Sequence, residues 1–141
     1  MELFITIAKI ILSILPFLNR KSKIKGEWIA IYHEQTNGKE TKETVVVNQL
    51  WSLVWGNISP RENLNDPSWK FNGIIRDQVL VGIYFAKEKF QHWQGSFTLK
   101  WDNTKNKLFG IYSGFEESSQ KIISSDYSWV KRNDLINQND K

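Results

Sequence analysis

Aromatic and basic residues are interleaved through most of the chain, and together they could bind a ligand that has both flat rings and negative charge. A nucleotide is such a ligand, because each base stacked on an aromatic side chain gains about 1–3 kcal/mol and its phosphates need cations. The candidate ligand-binding residues are Tyr32, Trp55, Arg76, Tyr84, Lys100, Tyr112, Tyr127 and Trp129. Arg76 and Lys100 are the candidates for phosphate, because each stands beside aromatic strand residues near a predicted strand end. The alternative, that most of these rings, with Trp69 and Trp93, form the core, stays open.

The chain shows no arrangement of residues typical of an enzyme. His33 and His92 fall in different predicted elements, and the sequence contains no cysteine, so a metal site is not expected. Neither a Gly-x-Ser-x-Gly motif nor a glycine-rich phosphate loop that opens a helix is present. We therefore expect a binding protein that is not an enzyme and has no cofactor besides its ligand.

From Gly26 onward the sequence reads as short β-type runs divided by turn residues. The aromatic content of 13%, with seven tryptophans, favours strands over helices. Period-two alternation and turn residues predict eight strands, at residues 27–34, 43–49, 52–58, 69–75, 78–85, 95–101, 107–115 and 122–132.

Most of the predicted connections are short enough for hairpins, which predicts an all-β, eight-stranded, antiparallel up-and-down barrel. Closing the sheet removes its exposed edges and leaves an interior wide enough for one small ligand. In the first strand, Trp28, Ala30 and Tyr32 share one face, which is the better candidate for the interior. Gly82 and Gly110 occupy equivalent places in two strands and indicate barrel curvature or, alternatively, room for a ligand.

The first 25 residues have a different character. Residues 3–18 are apolar except for Thr6, Lys9 and Ser13, which predicts one membrane helix that either spans or lies in the interface. Four basic residues follow this run, Arg20, Lys21, Lys23 and Lys25, so the positive-inside rule predicts a cytoplasmic barrel. We divide the chain into a membrane anchor at 1–19, a basic linker at 20–25, a barrel at 26–132 and a polar tail at 133–141.

A polar stripe follows one side of the predicted membrane helix. Glu2, Thr6, Lys9 and Ser13 are spaced by four, three and four residues. The stripe suits an anchor that lies flat on the membrane or, alternatively, several helices that associate through it. The net charge of +4 comes from this N-terminal part, because residues 26–141 carry 14 basic and 14 acidic residues. No duplex nucleic acid is therefore expected as a partner.

Motifs at several strands carry a family resemblance. The chain resembles lipocalins at Gly26-Glu27-Trp28 and at residues 127–132, which implies that Trp28 and Arg132 pack across one barrel end. Over residues 26–132 it resembles the membrane-anchored β-barrel effectors of bacterial anti-phage cyclic-nucleotide signalling (CBASS and related operons). The motifs that carry this resemblance are Phe71-x-Gly73, Asp77-x-x-Leu80-x-Gly82-x-Tyr84, Gly95-x-Phe97-x-Leu99, Leu108-x-Gly110-x-Tyr112-x-Gly114 and Tyr127-x-Trp129.

The resemblance implies an effector at the bacterial inner membrane. Its cytoplasmic barrel would bind a cyclic di- or oligonucleotide, form a homo-oligomer and disrupt the membrane lipids. Members of that family have two membrane helices before the barrel, whereas this chain has one apolar run. The alternative function is a membrane-tethered, lipocalin-like carrier or chaperone of small apolar ligands, and the polarity of the pocket discriminates between the two functions.

Overall fold

The computed structural model describes residues 23–34, 37–62, 64–65, 67–88, 94–116 and 119–132, together with Thr6 and Lys9. The predicted membrane anchor at 1–19, including Ser13, otherwise lies outside the described residues, as do Arg20 and Lys21 of the predicted linker and the predicted tail at 133–141. The strands are β1 (Gly26–His33), β2 (Glu40–Leu50), β3 (Leu53–Pro60), β4 (Trp69–Arg76), β5 (Val79–Ala86), β6 (Gln94–Asp102), β7 (Lys107–Glu116) and β8 (Lys121–Lys131).

The eight strands form a closed antiparallel barrel, which confirms the predicted fold class. Each strand pairs with the next in the chain, and β8 returns to β1 with Trp129 opposite Ala30. The largest difference from the predicted bounds is in β2, which begins at Glu40 because Thr41 and Glu43 pair with Tyr32 and Ala30 of β1. The backbone hydrogen bonds between β1 and β2 continue through Thr41 and Glu43, although their side chains are polar.

Alternation along the strands fills the barrel with aromatic and aliphatic side chains. Trp28 and Ala30 are buried inside, as predicted, and the rings of Phe71, Phe97 and Trp129 pack at centroid distances of 5.4–5.9 Å. The buried core comprises Ile24, Trp28, Ala30, Val45, Val47, Val54, Ile58, Phe71, Ile75, Leu80, Phe97, Leu99, Leu108, Tyr127 and Trp129.

The two glycines in equivalent places have different roles. A Cβ on Gly82 would lie 2.3 Å from the Phe97 ring, so this glycine makes room for a core aromatic. A Cβ on Gly110 would lie 2.0 Å from the backbone oxygen of Thr98, so β6 and β7 approach each other closely there.

Ile24 plugs one end of the barrel, which we call the closed end. It is fully buried, its N–H donates to Gln49 Oε1 at 2.9 Å, and its carbonyl accepts from Trp28 Nε1 at 2.7 Å. The predicted domain boundary at Gly26 therefore leaves out a residue that belongs to the core.

A cation lies over Trp28 at the closed end, but it is Lys131 rather than Arg132. The Lys131 ammonium is 4.3 Å from the centroid of the Trp28 ring and donates to the carbonyl of Lys25. Arg132 instead pairs with Glu27. The register explains the difference, because Trp28 lies directly opposite Lys131, which places the next residue on the other face of the sheet.

The closed end has a marked excess of positive charge among the described residues. This end comprises the linker before β1, the β2–β3, β4–β5 and β6–β7 turns and the strand ends that adjoin them. Its acidic residues are Glu27, Asp77 and Asp102. Its eight basic residues are Lys23, Lys25, Arg76, Lys100, Lys105, Lys107, Lys131 and Arg132.

Candidate ligand-binding site

A cavity opens at the end of the barrel opposite Ile24. Its volume is about 150 Å³. Seven side chains of the described residues line it, and five of them are aromatic and come from five different strands. The lining residues are Tyr32, Glu43, Ile58, Trp69, Tyr84, Tyr112 and Tyr127. The strands around the cavity pair into one closed sheet, which fixes the positions of these rings relative to one another.

The aromatic residues form two opposing walls. Tyr32, Tyr112 and Tyr127 make edge contacts at centroid distances of 5.5–6.3 Å on the side of β1, β7 and β8. Trp69 and Tyr84 meet at 5.5 Å and 90° on the side of β4 and β5. The Tyr84 hydroxyl also donates to the carbonyl of Ser113 at 3.2 Å. A flat ring in the cavity would find aromatic surface from both groups of side chains.

Glu43 places a carboxyl group in this aromatic cavity, where only 9% of the residue is exposed. Burial, followed by the charges of Tyr112 and Glu43, raises the pKa of Tyr84 to about 12. Burial and then the Glu43 carboxylate raise the pKa of Tyr127 well above its ordinary value. The phenols therefore stay protonated at neutral pH and can donate hydrogen bonds to the carboxyl group of Glu43.

A wider mouth of about 390 Å³ lies above the cavity and shares Tyr32, Glu43, Trp69 and Tyr112 with it. Among the described residues, four carboxylate residues and three basic ones line the mouth. The acidic residues are Glu34, Glu43, Glu62 and Glu116, and the basic residues are Lys39, Lys42 and Arg61.

The basic residues of the mouth differ in their pairing. Lys39 pairs with Glu62 at 3.6 Å, and Lys42 pairs with Glu40 at 3.2 Å. Arg61 is exposed and has no ion pair with a carboxylate of the described residues. Arg61 is therefore the cation of the mouth that is most available to an anionic ligand.

The structure brings together four of the eight predicted ligand-binding residues, Tyr32, Tyr84, Tyr112 and Tyr127. Trp129 lies below them, fully buried in the core, where it contacts Tyr127 at a centroid distance of 6.0 Å. It therefore supports the cavity and does not line it.

The other three predicted residues lie on the outer surface. The inward phase of β3 passes through Val54, so its neighbour Trp55 points outward and is 42% exposed. Arg76 and Lys100 are also exposed, at the closed end, and Arg76 pairs with Asp77 at 3.7 Å. The structure thus separates both predicted phosphate contacts from the cavity by the length of the barrel.

Sequence reasoning missed Glu43, Ile58 and the basic residues of the mouth. A signal for Glu43 was present, because it shares the period-two phase of Val45 and Val47 and is the charged member of an otherwise apolar face. Arg61 offers no such signal, because a basic residue in a polar turn is ordinarily solvated.

Among the described residues, no helix is both long and apolar enough to cross a bilayer. Within the same part of the chain, no three His, Asp or Glu side chains lie together as metal ligands would. No protein family, curated protein or solved structure gives a significant match to this chain.

Proposed function

We propose that the barrel binds a cyclic di- or oligonucleotide at its open end, with one base in the aromatic cavity and the phosphates in the mouth. The observation that carries this proposal is the aromatic cavity with the buried Glu43 carboxylate inside it. A flat heterocycle with N–H groups matches both features, since it stacks on rings and donates to a carboxylate.

The cavity has room for about one aromatic ring of a base and not for a whole ligand. Ligand pockets usually measure about 300–1,000 Å³, whereas a cavity of about 150 Å³ is known to hold benzene. The cavity here is about 150 Å³, and it continues into the mouth of about 390 Å³. The sugar and phosphate groups, with any further base, would therefore lie in the mouth.

Glu43 supplies selectivity among bases. An ionised carboxylate only accepts hydrogen bonds, and it can accept two in parallel. The Watson–Crick edge of guanine presents two adjacent N–H donors, whereas that of uracil presents one donor between two carbonyl acceptors. Glu43 therefore favours guanine over uracil in the cavity.

Cations at the mouth would contact the phosphates. Arg61 is exposed there, and a guanidinium binds phosphate through two parallel hydrogen bonds. Lys39 would exchange its contact with Glu62 for a contact with phosphate, and such an exposed pair contributes about 1 kcal/mol or less.

The alternative of an apolar carrier is less well matched by the same site. A fatty acid bound head first would bring its carboxylate toward Glu43, and like charges in a partly desolvated cavity repel each other. A fatty acid bound tail first would surround the Glu43 carboxylate with hydrocarbon, which disfavours the charged form.

The wider role as an effector rests on the resemblance to anti-phage barrel proteins and on the apolar residues 3–18. We propose a cytoplasmic barrel held at the bacterial inner membrane, where ligand binding promotes homo-oligomerisation and the N-terminal segments then disrupt the bilayer. The barrel itself acts as a sensor and performs no chemistry.

A thermal-shift screen of the full chain in detergent tests this proposal. A panel of cyclic di- and oligonucleotides should contain a guanine ligand that raises the melting temperature, because a ligand of the native state stabilises it by mass action. Fatty acids should leave the melting temperature unchanged. Stabilisation by fatty acids alone would contradict the proposal and favour the apolar carrier.

Two carboxylate variants locate the binding site. Glu43→Gln turns one of the two acceptor oxygens into an NH2 donor that would face a guanine N–H, so one of the two hydrogen bonds is lost and guanine ligands should bind at least tenfold more weakly, a loss of about 1.4 kcal/mol or more. Glu88→Gln is the matched control, because Glu88 is exposed and lines neither the cavity nor the mouth. Equal affinity of the two variants for guanine ligands would place the base elsewhere.

A further inference from the structure

The β2–β3 turn exposes three large apolar side chains at the closed end. Leu50, Trp51 and Leu53 are 52%, 49% and 48% exposed. Leu50 lies opposite Leu53 in the β2–β3 ladder, and Ile74, which is 40% exposed, lies opposite Leu53 on β4. The turn therefore forms the tip of a continuous apolar strip on the outside of the barrel.

Trp51 occupies a backbone conformation that its side chain does not favour. Its φ of 53° lies in the left-handed region, where glycine and asparagine are the usual residues and a bulky side chain is an outlier. Its ring is half exposed, so core packing does not account for a tryptophan at this position. Strained positions of this kind recur at binding surfaces.

The barrel end that carries this apolar turn has an excess of positive charge. The closed end carries eight basic and three acidic side chains among the described residues. Lys100 and Lys105 are both exposed, and Phe109, which is 45% exposed, lies opposite Lys100. The combination of exposed tryptophan, aliphatic residues and lysines is typical of a surface that sits at the headgroups of an anionic membrane.

The N-terminal segment joins the barrel at the same end. Ile24 is fixed in the closed end by its burial and by its hydrogen bonds to Gln49 and Trp28. The apolar residues 3–18 precede this plug by only a few residues of basic linker. The segment most suited to a bilayer is therefore attached to the surface that carries Trp51 and the excess of positive charge.

We propose that the closed end of the barrel docks on an anionic bilayer, with Trp51 and Leu50 among the lipid headgroups and the surrounding lysines on their phosphates. The open mouth then faces away from the membrane, where a soluble ligand can enter. This inference rests on the proposed membrane location but not on the proposed nucleotide.

Single-cysteine labelling of the full chain tests the docking directly, because the sequence contains no cysteine. Trp51→Cys carries an environment-sensitive dye at the closed end, and Glu88→Cys carries it two residues after β5, at the mouth end. Both proteins are bound to vesicles of anionic or neutral lipid that contain a lipid-borne quencher. We expect a blue shift and quenching at position 51 on anionic vesicles, and neither at position 88.

The outcomes separate this inference from its alternatives. A dye at position 51 that shifts but is not quenched by lipid would indicate a second copy of the chain and overturn the docking. Bound protein with both dyes in water would mean that the barrel hangs from a tether, and quenching at position 88 would reverse its orientation. A chain that does not bind vesicles at all would refute both the docking and the proposed membrane location, whereas the nucleotide screen would be unaffected.

Charge variants supply a second readout on the same labelled chain. Lys100→Gln combined with Lys105→Gln should reduce the blue shift at position 51 on anionic vesicles, because two contacts with headgroups are lost. Lys87→Gln combined with Lys121→Gln is the matched control, since both lysines are exposed at the mouth end. Equal shifts from the two double variants would overturn the electrostatic part of the docking.

Discussion

Ile24 is the residue through which the barrel holds its N-terminal segment, and its truncation gives a measurable prediction. The residue is fully buried, and replacing it by alanine removes three side-chain carbons. At about 0.8 kcal/mol per buried carbon the transfer loss is about 2.4 kcal/mol, and the cavity left behind brings the expected cost to about 3–5 kcal/mol. Ile122→Ala is the matched control, because Ile122 is 72% exposed and its truncation should change stability by about 0.5 kcal/mol or less.

The assay is urea denaturation of the full chain in detergent, followed by tryptophan fluorescence. Trp28 is a useful reporter, because its indole donates to the carbonyl of Ile24. Should Ile24→Ala prevent folding, Ile24→Val is the milder variant, with an expected cost of about 0.5–1.5 kcal/mol. Equal stability of Ile24→Ala and Ile122→Ala would refute the conclusion that Ile24 belongs to the core.

Three further predictions concern stability. The folded-state pKa of Tyr84 is raised from 10.0 to about 12. The contribution of this group to the free energy of unfolding is therefore present below pH 10 and is lost as the pH rises toward 12. Discounted for partial exposure, this loss is about 2 kcal/mol, measurable by denaturation across that range with tyrosinate absorbance as the second probe. Gly82→Ala should cost about 1–3 kcal/mol in denaturation, because its Cβ would lie 2.3 Å from the Phe97 ring; an unchanged midpoint would contradict that packing. Trp51→Gly should retain or raise the melting temperature, and a large fall would mean that Trp51 is needed for folding.

The sequence by itself determined the strands and their order. Alternation and turn residues are local signals, so all eight strands could be placed to within three residues, and short connections made a meander the expected topology. The phase of β1 was also readable, because Ala30 lies between two aromatic residues on one face while Glu27 and His33 lie on the other. Tyr32 shares that inward face, whereas Tyr84, Tyr112 and Tyr127 were named because aromatic rings can stack on a base, and not because the phases of their strands were readable.

Only the tertiary structure decided which of the remaining candidates meet. The strand β5 is apolar on both faces, with Leu80 inside the barrel and Val81 outside. Its sequence does not show which face points inward, because either face would suit the core. The pairing of strands around the closed barrel decided the remaining placements. Trp55 lies on the outer surface, Lys131 lies over Trp28, and Glu43 lies among rings from distant strands. These placements depend on pairings between residues far apart in the chain, and alternation within one strand carries no information about them.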